Sequence, residues 1–248
     1  MRRYVIHDSG QLKGRNVLLI GQGPSSWGLS ESDAWREIRG DTDTIVMNLA
    51  WQEYEGATWC FAMDPPMAFG LFRERVYERT RIVVPQHEAR NWIHSGHEIP
   101  EGLVWGQNAY ATGRVDGGAS TGMVAFRALL WGHARSVTMI GFDGARDPRS
   151  RYTGQPGYQL GPTRPAAHAV WERRMVAWHR QHEAGDRPRM EVYLAAGHED
   201  ALGLDGCASG RIITGGHDGW RTLVDHLRRL RGRSGECRVS RSTQPARS

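Results

Sequence analysis

The chain has 248 residues, 39% of them hydrophobic, enough to bury one sizeable core, and it holds no run of roughly eighteen apolar residues that would cross a bilayer. Three widely spaced cysteines, Cys60, Cys207 and Cys237, argue against a disulfide framework and against structural zinc. The net charge of +5 is almost wholly arginine, since Lys13 is the only lysine, and the polar start Met1-Arg2-Arg3-Tyr4, with His7 and Asp8 close behind, lacks a signal core, so a cytoplasmic protein is expected.

Asn16-Val17-Leu18-Leu19-Ile20 reads as a buried strand that stops in Gly21-Gln22-Gly23-Pro24-Ser25-Ser26. A glycine-rich turn before a helix is where α/β proteins bind phosphate. Gly21 and Gly23 let the backbone approach a ligand with its amides outward, Pro24 stiffens the exit, and Ser25 and Ser26 add hydroxyl donors. Tight turns that bind nothing also carry two glycines, so both readings stand. Ser30 caps a helix containing Ala34, Trp35 and Ile38, which Gly40 ends. Residues 44–49, 58–63 and 82–84 are short β-rich runs with the continuous hydrophobicity of strands buried on both faces. Pro65 and Pro66 open a helix carrying Met67, Leu71, Phe72 and Val76. Residues 103–105 form a further strand.

The most convincing interior helix covers residues 120–133, with Met123, Phe126, Leu129 and Leu130 at helical spacing, and leads into the strand 136–140 that ends at Gly141. The next stretch, rich in Gly, Pro and Arg without apolar periodicity, reads as a lid at about 144–165. Residues 166–182 are helical and 190–194 a strand. Trp220, Leu223, Val224, Leu227 and Leu230 mark a last amphipathic helix. One domain over 1–231 precedes an Arg-rich tail over 232–248. That tail reads as solvated and disordered, with contact to a phosphate backbone as the sharper alternative.

Alternating strands and helices predict a single Rossmann-like α/β domain, a mostly parallel sheet with helices on both faces. Ligands in such sheets bind at the carboxyl ends of the strands. The turn 22–26, Asn48, Asp64, Ser120, Thr121 and Asp143 should therefore rim one cleft. Ser120 and Thr121 suit either a plain helix cap or an anion at a helix N-terminus. Asp143 is a turn former or a ribose ligand, and Asp64 before Pro65 reads as a helix cap rather than a catalytic acid.

Gly21-Gln22-Gly23-Pro24-Ser25, Met47-Asn48, Met63-Asp64-Pro65, Ala119-Ser120-Thr121-Gly122-Met123 and Ile140-Gly141-Phe142-Asp143 together resemble the bacterial sialyltransferases that make lipooligosaccharide sialosides. The resemblance spans roughly residues 15 to 195. It implies a single Rossmann-like domain with a lid, a CMP-activated sugar, inversion at the anomeric carbon, and neither metal nor cofactor. Gln22 stands where these enzymes usually have an asparagine on the donor phosphate and ribose, and Asn48 matches a second asparagine on the nucleotide. Ser120, Thr121 and Gly122 match the nucleotide end, and Asp143 a ribose contact.

His168, just past the lid, occupies the place of the family's general base, and imidazole titrates near neutrality as that role requires. The family's tyrosine after the aspartate is here Ala145. Tyr152 and Tyr158 remain for the leaving phosphate, and Arg146, Arg149 and Arg151 either add charge-assisted bonds to it or only solubilise the lid. The expected partners are a nucleotide sugar and a saccharide or other hydroxyl acceptor. A hydroxymethylated DNA base, as in phage-type modifying enzymes, would suit the basic tail.

The glycine-proline-serine turn is also similar to that of hydroxymethylpterin diphosphokinases. That alternative needs Mg²⁺, held by some of Asp41, Asp43, Asp64 and Asp143. An inactive nucleotide-binding module is the third reading, and the sequence sets no oligomeric state.

Overall fold

The computed structural model describes residues 10–85, 91, 94–96, 104–106, 121–142, 177, 189–195, 210–214 and 216–239. Eight strands, β1 Asn16–Ile20, β2 Asp43–Met47, β3 Trp59–Phe61, β4 Arg81–Pro85, β5 Val104–Gly106, β6 Ser136–Ile140, β7 Arg189–Ala195 and β8 Gly210–Thr214, form one sheet. Their order is β5-β4-β3-β2-β1-β6-β7-β8, and every neighbouring pair is parallel. The chain steps outward from β1 to β5, then returns to lay β6 on the other flank of β1, in register from Asn16 opposite Ser136 to Ile20 opposite Ile140. Crossovers therefore leave β1 and β6 in opposite directions, the topological switch beside which such sheets bind ligands at the carboxyl ends of their strands.

The α-helices whose bounds lie within the described residues are α1 Asp33–Asp41, α2 Pro65–Arg73, α3 Thr121–Trp131 and α4 Gly216–Val239. Side chains alternate across the strands. Val17, Leu19, Ile45, Met47, Trp59, Phe61, Val137 and Met139 pack under α3 on one face. Leu18, Ile20, Val46, Cys60, Ile82, Val84 and Ile140 pack under α1, α2 and α4 on the other. A sheet buried on both sides explains why its strands read as unbroken apolar runs. α3 is buried along nearly its whole length, consistent with its all-round apolar sequence.

Polar side chains tie α4 down where it crosses β1 and β6. Thr138 Oγ1 lies 3.2 Å from His226 Nε2, and Asn16 accepts from Ser136 Oγ at 2.8 Å while donating to the Leu230 carbonyl at 3.3 Å. Arg228 and Arg231, part of the C-terminal arginine excess, pair with Glu37 and Asp41 of α1. Exposed pairs of this kind contribute at most about 1 kcal/mol each. They nevertheless place these two arginines on a helix–helix contact rather than in a free basic tail.

Several boundaries differ from the sequence reading. β8 was not foreseen. α1 starts after Ser32 instead of Ser30, and the Ser32 hydroxyl bonds back to the Leu29 carbonyl at 2.6 Å in place of capping the helix. α2 stops at Arg73 because Arg75 turns left-handed at φ 52°, which moves Val76 into a separate 3-10 turn. α4 continues through Val239, so residues 232–239 extend the helix that was expected to end before them; Pro245 is the first proline to oppose it. The lid at 144–165 and the tail end at 240–248 lie outside the described residues, as does the helix at 166–182 apart from residue 177. No helix among the described residues is long and apolar enough to cross a membrane.

Candidate active site

The glycines at the ends of β1 and β6 face each other. A Cβ on Gly21 would lie 2.3 Å from the Gly141 carbonyl oxygen, and one on Gly141, whose φ is +76°, would lie 2.5 Å from the Gly21 oxygen. The two backbones meet too closely for any side chain. The Gly21 amide donates to the Ile140 carbonyl at 2.7 Å, the Gly23 amide to the Gly141 carbonyl at 2.9 Å, and the Gly141 amide to Ser25 Oγ at 2.7 Å. Ser26 Oγ lies 3.0 Å from the Gly21 oxygen and 2.8 Å from the Gly23 oxygen, and the Ser26 carbonyl accepts from the Tyr54 hydroxyl at 2.9 Å.

These bonds give Gly21, Gly23, Ser25 and Ser26 a structural task beside the expected phosphate cradle. Their polar groups turn inward and clamp β1 to β6, because the close glycine contact needs its own backbone groups satisfied. Pro24 begins the 3-10 turn Pro24–Ser26 that closes the clamp. Its product is a fixed position for Gln22, which stands half-buried over the strand ends with Nε2 3.4 Å from the Met47 carbonyl.

At the end of β2, Asn48 adopts a left-handed conformation, φ 53°, that asparagine tolerates better than most residues. Its carbonyl accepts a long bond from Cys60 Sγ at 3.6 Å, and its Oδ1 accepts from Thr121 Oγ1 at 3.1 Å. Asn48 and Thr121 are buried, 73 residues apart in sequence. With the amide in this orientation Oδ1 takes the Thr121 hydroxyl and Nδ2 is left as the donor, without a partner among the described residues. Gly122 is a packing position: a Cβ there would meet the Phe142 ring at 3.0 Å and Met47 Sδ at 3.4 Å, so its absence lets the start of α3 close onto the β2 and β6 ends.

Asp64 occupies the N-cap position of α2 without making a capping bond, contrary to expectation. Pro65 and Pro66 have no N–H to offer, and the Met67 amide is taken by the Asp64 carbonyl at 3.0 Å. The carboxyl is left half-buried without a partner among the described residues, and burial raises its pKa. Such a group beside a strand end is a functional candidate.

Asp41 pairs with Arg231, and Asp43 pairs with Arg15 at 3.5 Å at the amino end of β2. Both lie by the amino end of β2, whereas Asp64 follows the carboxyl end of β3, so Asp41 and Asp43 do not converge with Asp64. No group of three His, Cys, Asp or Glu among the described residues is placed to hold a metal ion.

The structure thus brings together Gln22, Asn48, Thr121 and Gly122 around the clamp, with Asp64 on the adjoining strand end. Ser120, Asp143, Ala145, Arg146, Arg149, Arg151, Tyr152, Tyr158 and His168 lie outside the described residues. Sequence reasoning missed Tyr54 and Phe142. Tyr54 carries no local signal, since its partner Ser26 is 28 residues away. Phe142 stood inside a quoted motif without a role.

An all-parallel sheet with a polar cluster at its switch point defines a Rossmann-like α/β protein. No protein-family model matches the chain, and no curated protein matches it. Among solved structures it is similar to the monofunctional alpha-2,3-sialyltransferase Cst-I from Campylobacter jejuni, at 10% identity and a TM-score of 0.48, over 87% of this chain and 94% of that one. It is also similar to the sialyltransferase CstII from Campylobacter jejuni in complex with cytidine-5'-monophosphate, at 12% identity and a TM-score of 0.43, over 79% and 84%.

Proposed function

We propose that the chain is a metal-independent inverting glycosyltransferase that takes its sugar from a nucleotide-activated donor, a CMP-sugar being favoured, and passes it to a hydroxyl of a saccharide or similar acceptor. The observation that carries this reading is the Asn48–Thr121 pair beside the switch point. The contact holds the Asn48 amide in place, and with Oδ1 toward Thr121 its Nδ2 is a donor where nucleotides bind in such sheets. Gln22 supplies a second amide at the same rim. Ser120 for the nucleotide and Asp143 for the ribose, by their match to the family motif, complete the site, and Arg151 and Tyr152 are the candidates for the departing phosphate in place of the tyrosine that Ala145 replaces.

In the reaction the acceptor oxygen forms a bond to the anomeric carbon as the bond from that carbon to the phosphate oxygen breaks. The electron pair leaves with the nucleotide, and the acceptor proton passes to His168. Donors preorganised toward the leaving phosphate supply the largest share of the rate enhancement. His168→Ala lowers turnover about a hundredfold or more and leaves CMP affinity unchanged. Full turnover in that variant removes His168 from the role. Thermal shifts with CMP, UMP, ADP and ATP, with and without Mg²⁺, separate this reading from diphosphoryl transfer, because only a ligand that binds the folded state raises its stability.

A further inference from the structure

Trp27 and Phe69 are the large apolar side chains that stand exposed among the described residues, and Trp27 is the more open at 41%. It is not a loose surface ring. Its indole Nε1 donates to the Gln22 carbonyl at 3.1 Å. On its amino side Ser26 is buried and bonded within the clamp; on its carboxyl side Gly28 turns the chain at φ 81° and Leu29 is fully buried. With both flanks committed to the interior, the ring is held outward at the rim of the candidate site.

Gln22 links the two sides of that rim. Its side-chain amide reaches the Met47 carbonyl, next to Asn48, and its main-chain carbonyl holds Trp27. Thr121 belongs to the α3 layer, whereas Leu29, two residues after Trp27, packs in the layer of α1, α2 and α4. The Asn48–Thr121 side and the tryptophan side are therefore separate flanks of the same strand ends.

We infer that Trp27 is the stacking platform for the acceptor sugar, whose C–H face lies on the exposed indole while the nucleotide occupies the Asn48–Thr121 side. The identification of the occupant as an acceptor rests on the glycosyltransferase reading. An indole face carries negative charge density and attracts the polarised C–H bonds of a pyranose ring, and contact removes apolar surface of both from water. The hydrogen bond to Gln22 has already fixed the ring, so little side-chain freedom is lost on binding. Trp27 acts as a positioning residue: it sets where the acceptor hydroxyl stands and takes no part in bond making.

The test is saturation-transfer NMR with methyl β-galactopyranoside, methyl β-glucopyranoside and methyl α-mannopyranoside in the presence of saturating CMP, on the wild type, Trp27→Phe and Trp27→Ala. Transfer to one C–H face of at least one pyranoside is expected in the wild type and in Trp27→Phe. Affinity should fall about five- to tenfold in Trp27→Ala, with CMP affinity equal in all three proteins. No transfer in the wild type, or equal pyranoside affinity in Trp27→Ala, overturns the inference. Weakened CMP binding in Trp27→Ala overturns it as well, because the ring then serves the nucleotide. If CMP does not bind the wild type at all, the glycosyltransferase reading fails separately, and the same titration without nucleotide decides whether Trp27 holds a pyranoside.

Discussion

Gly141→Ala is the sharpest structural perturbation of the clamp that carries the site. The residue sits at φ +76°, where an L side chain costs roughly 1–2 kcal/mol. The added Cβ would also lie 2.5 Å from the Gly21 oxygen, 2.6 Å from the Gly21 carbonyl carbon and 2.8 Å from Ser26 Oγ. Two of these atoms are backbone, and the third is hydrogen-bonded into the turn, so relief requires the β1 and β6 ends to part. Overpacking of that kind costs about 1–3 kcal/mol. The sum, about 2–5 kcal/mol, corresponds to a Tm lowered by about 4–20 °C for a chain of this size. Gly40→Ala is the control of opposite sign. Gly40 lies in α1 with nothing within 4 Å of a built Cβ, so alanine should stabilise by about 0.5–1 kcal/mol. Urea unfolding and thermal melts of both variants decide the matter. A Gly141→Ala protein within about 0.5 kcal/mol of the wild type would refute the clamp, since that is the ordinary range of an unconstrained surface change.

Burial raises the Asp64 pKa from its ordinary 3.8, so the folded state holds this proton more tightly than the unfolded chain does. Stability therefore falls as pH rises from about 3.8 through the raised value, and the full cost is present above it. Asp64→Asn should be more stable than the wild type near pH 7, with the difference gone below pH 3.8; urea unfolding at several pH values checks this, and a benefit that persists in acid contradicts it. Cys60 is fully buried, and burial pushes its thiol pKa well up. A thiol reagent at about pH 8 should leave Cys60 unlabelled in the native protein and label it in denaturant, as mass spectrometry of the peptides would read; rapid native labelling would mean that the β2 and β3 ends open.

Much of the scaffold was legible in the sequence because its strands are buried on both faces. Ser136 to Ile140 was read with its observed ends, and the stripe of Leu223, Val224, Leu227 and Leu230 placed α4 before any contact was known. β8 escaped because its apolar content is only the Ile212-Ile213 pair between polar neighbours. The start of α1 after Ser32, the break at Arg75 and the left-handed turn at Asn48 are single-residue backbone states that no periodicity reports. The structural task of the glycine turn was not legible for a different reason. Ser25 and Ser26 look like ligand donors when only their neighbours are considered, yet Ser25 meets Gly141, 116 residues further on. Asn48 and Thr121 were both expected on one rim from the alternation of strands and helices, and the folded sheet adds their direct hydrogen bond.

The claim that Asn48 presents a nucleotide donor at the switch point is tested most directly by isothermal titration of CMP, without metal, into the wild type, Asn48→Ala and Asn48→Asp. The account predicts measurable binding to the wild type, a loss of about tenfold or more in Asn48→Ala, and a larger loss in Asn48→Asp, where a donor becomes a charged acceptor beside an anionic nucleotide. Equal CMP affinity in all three proteins would contradict it.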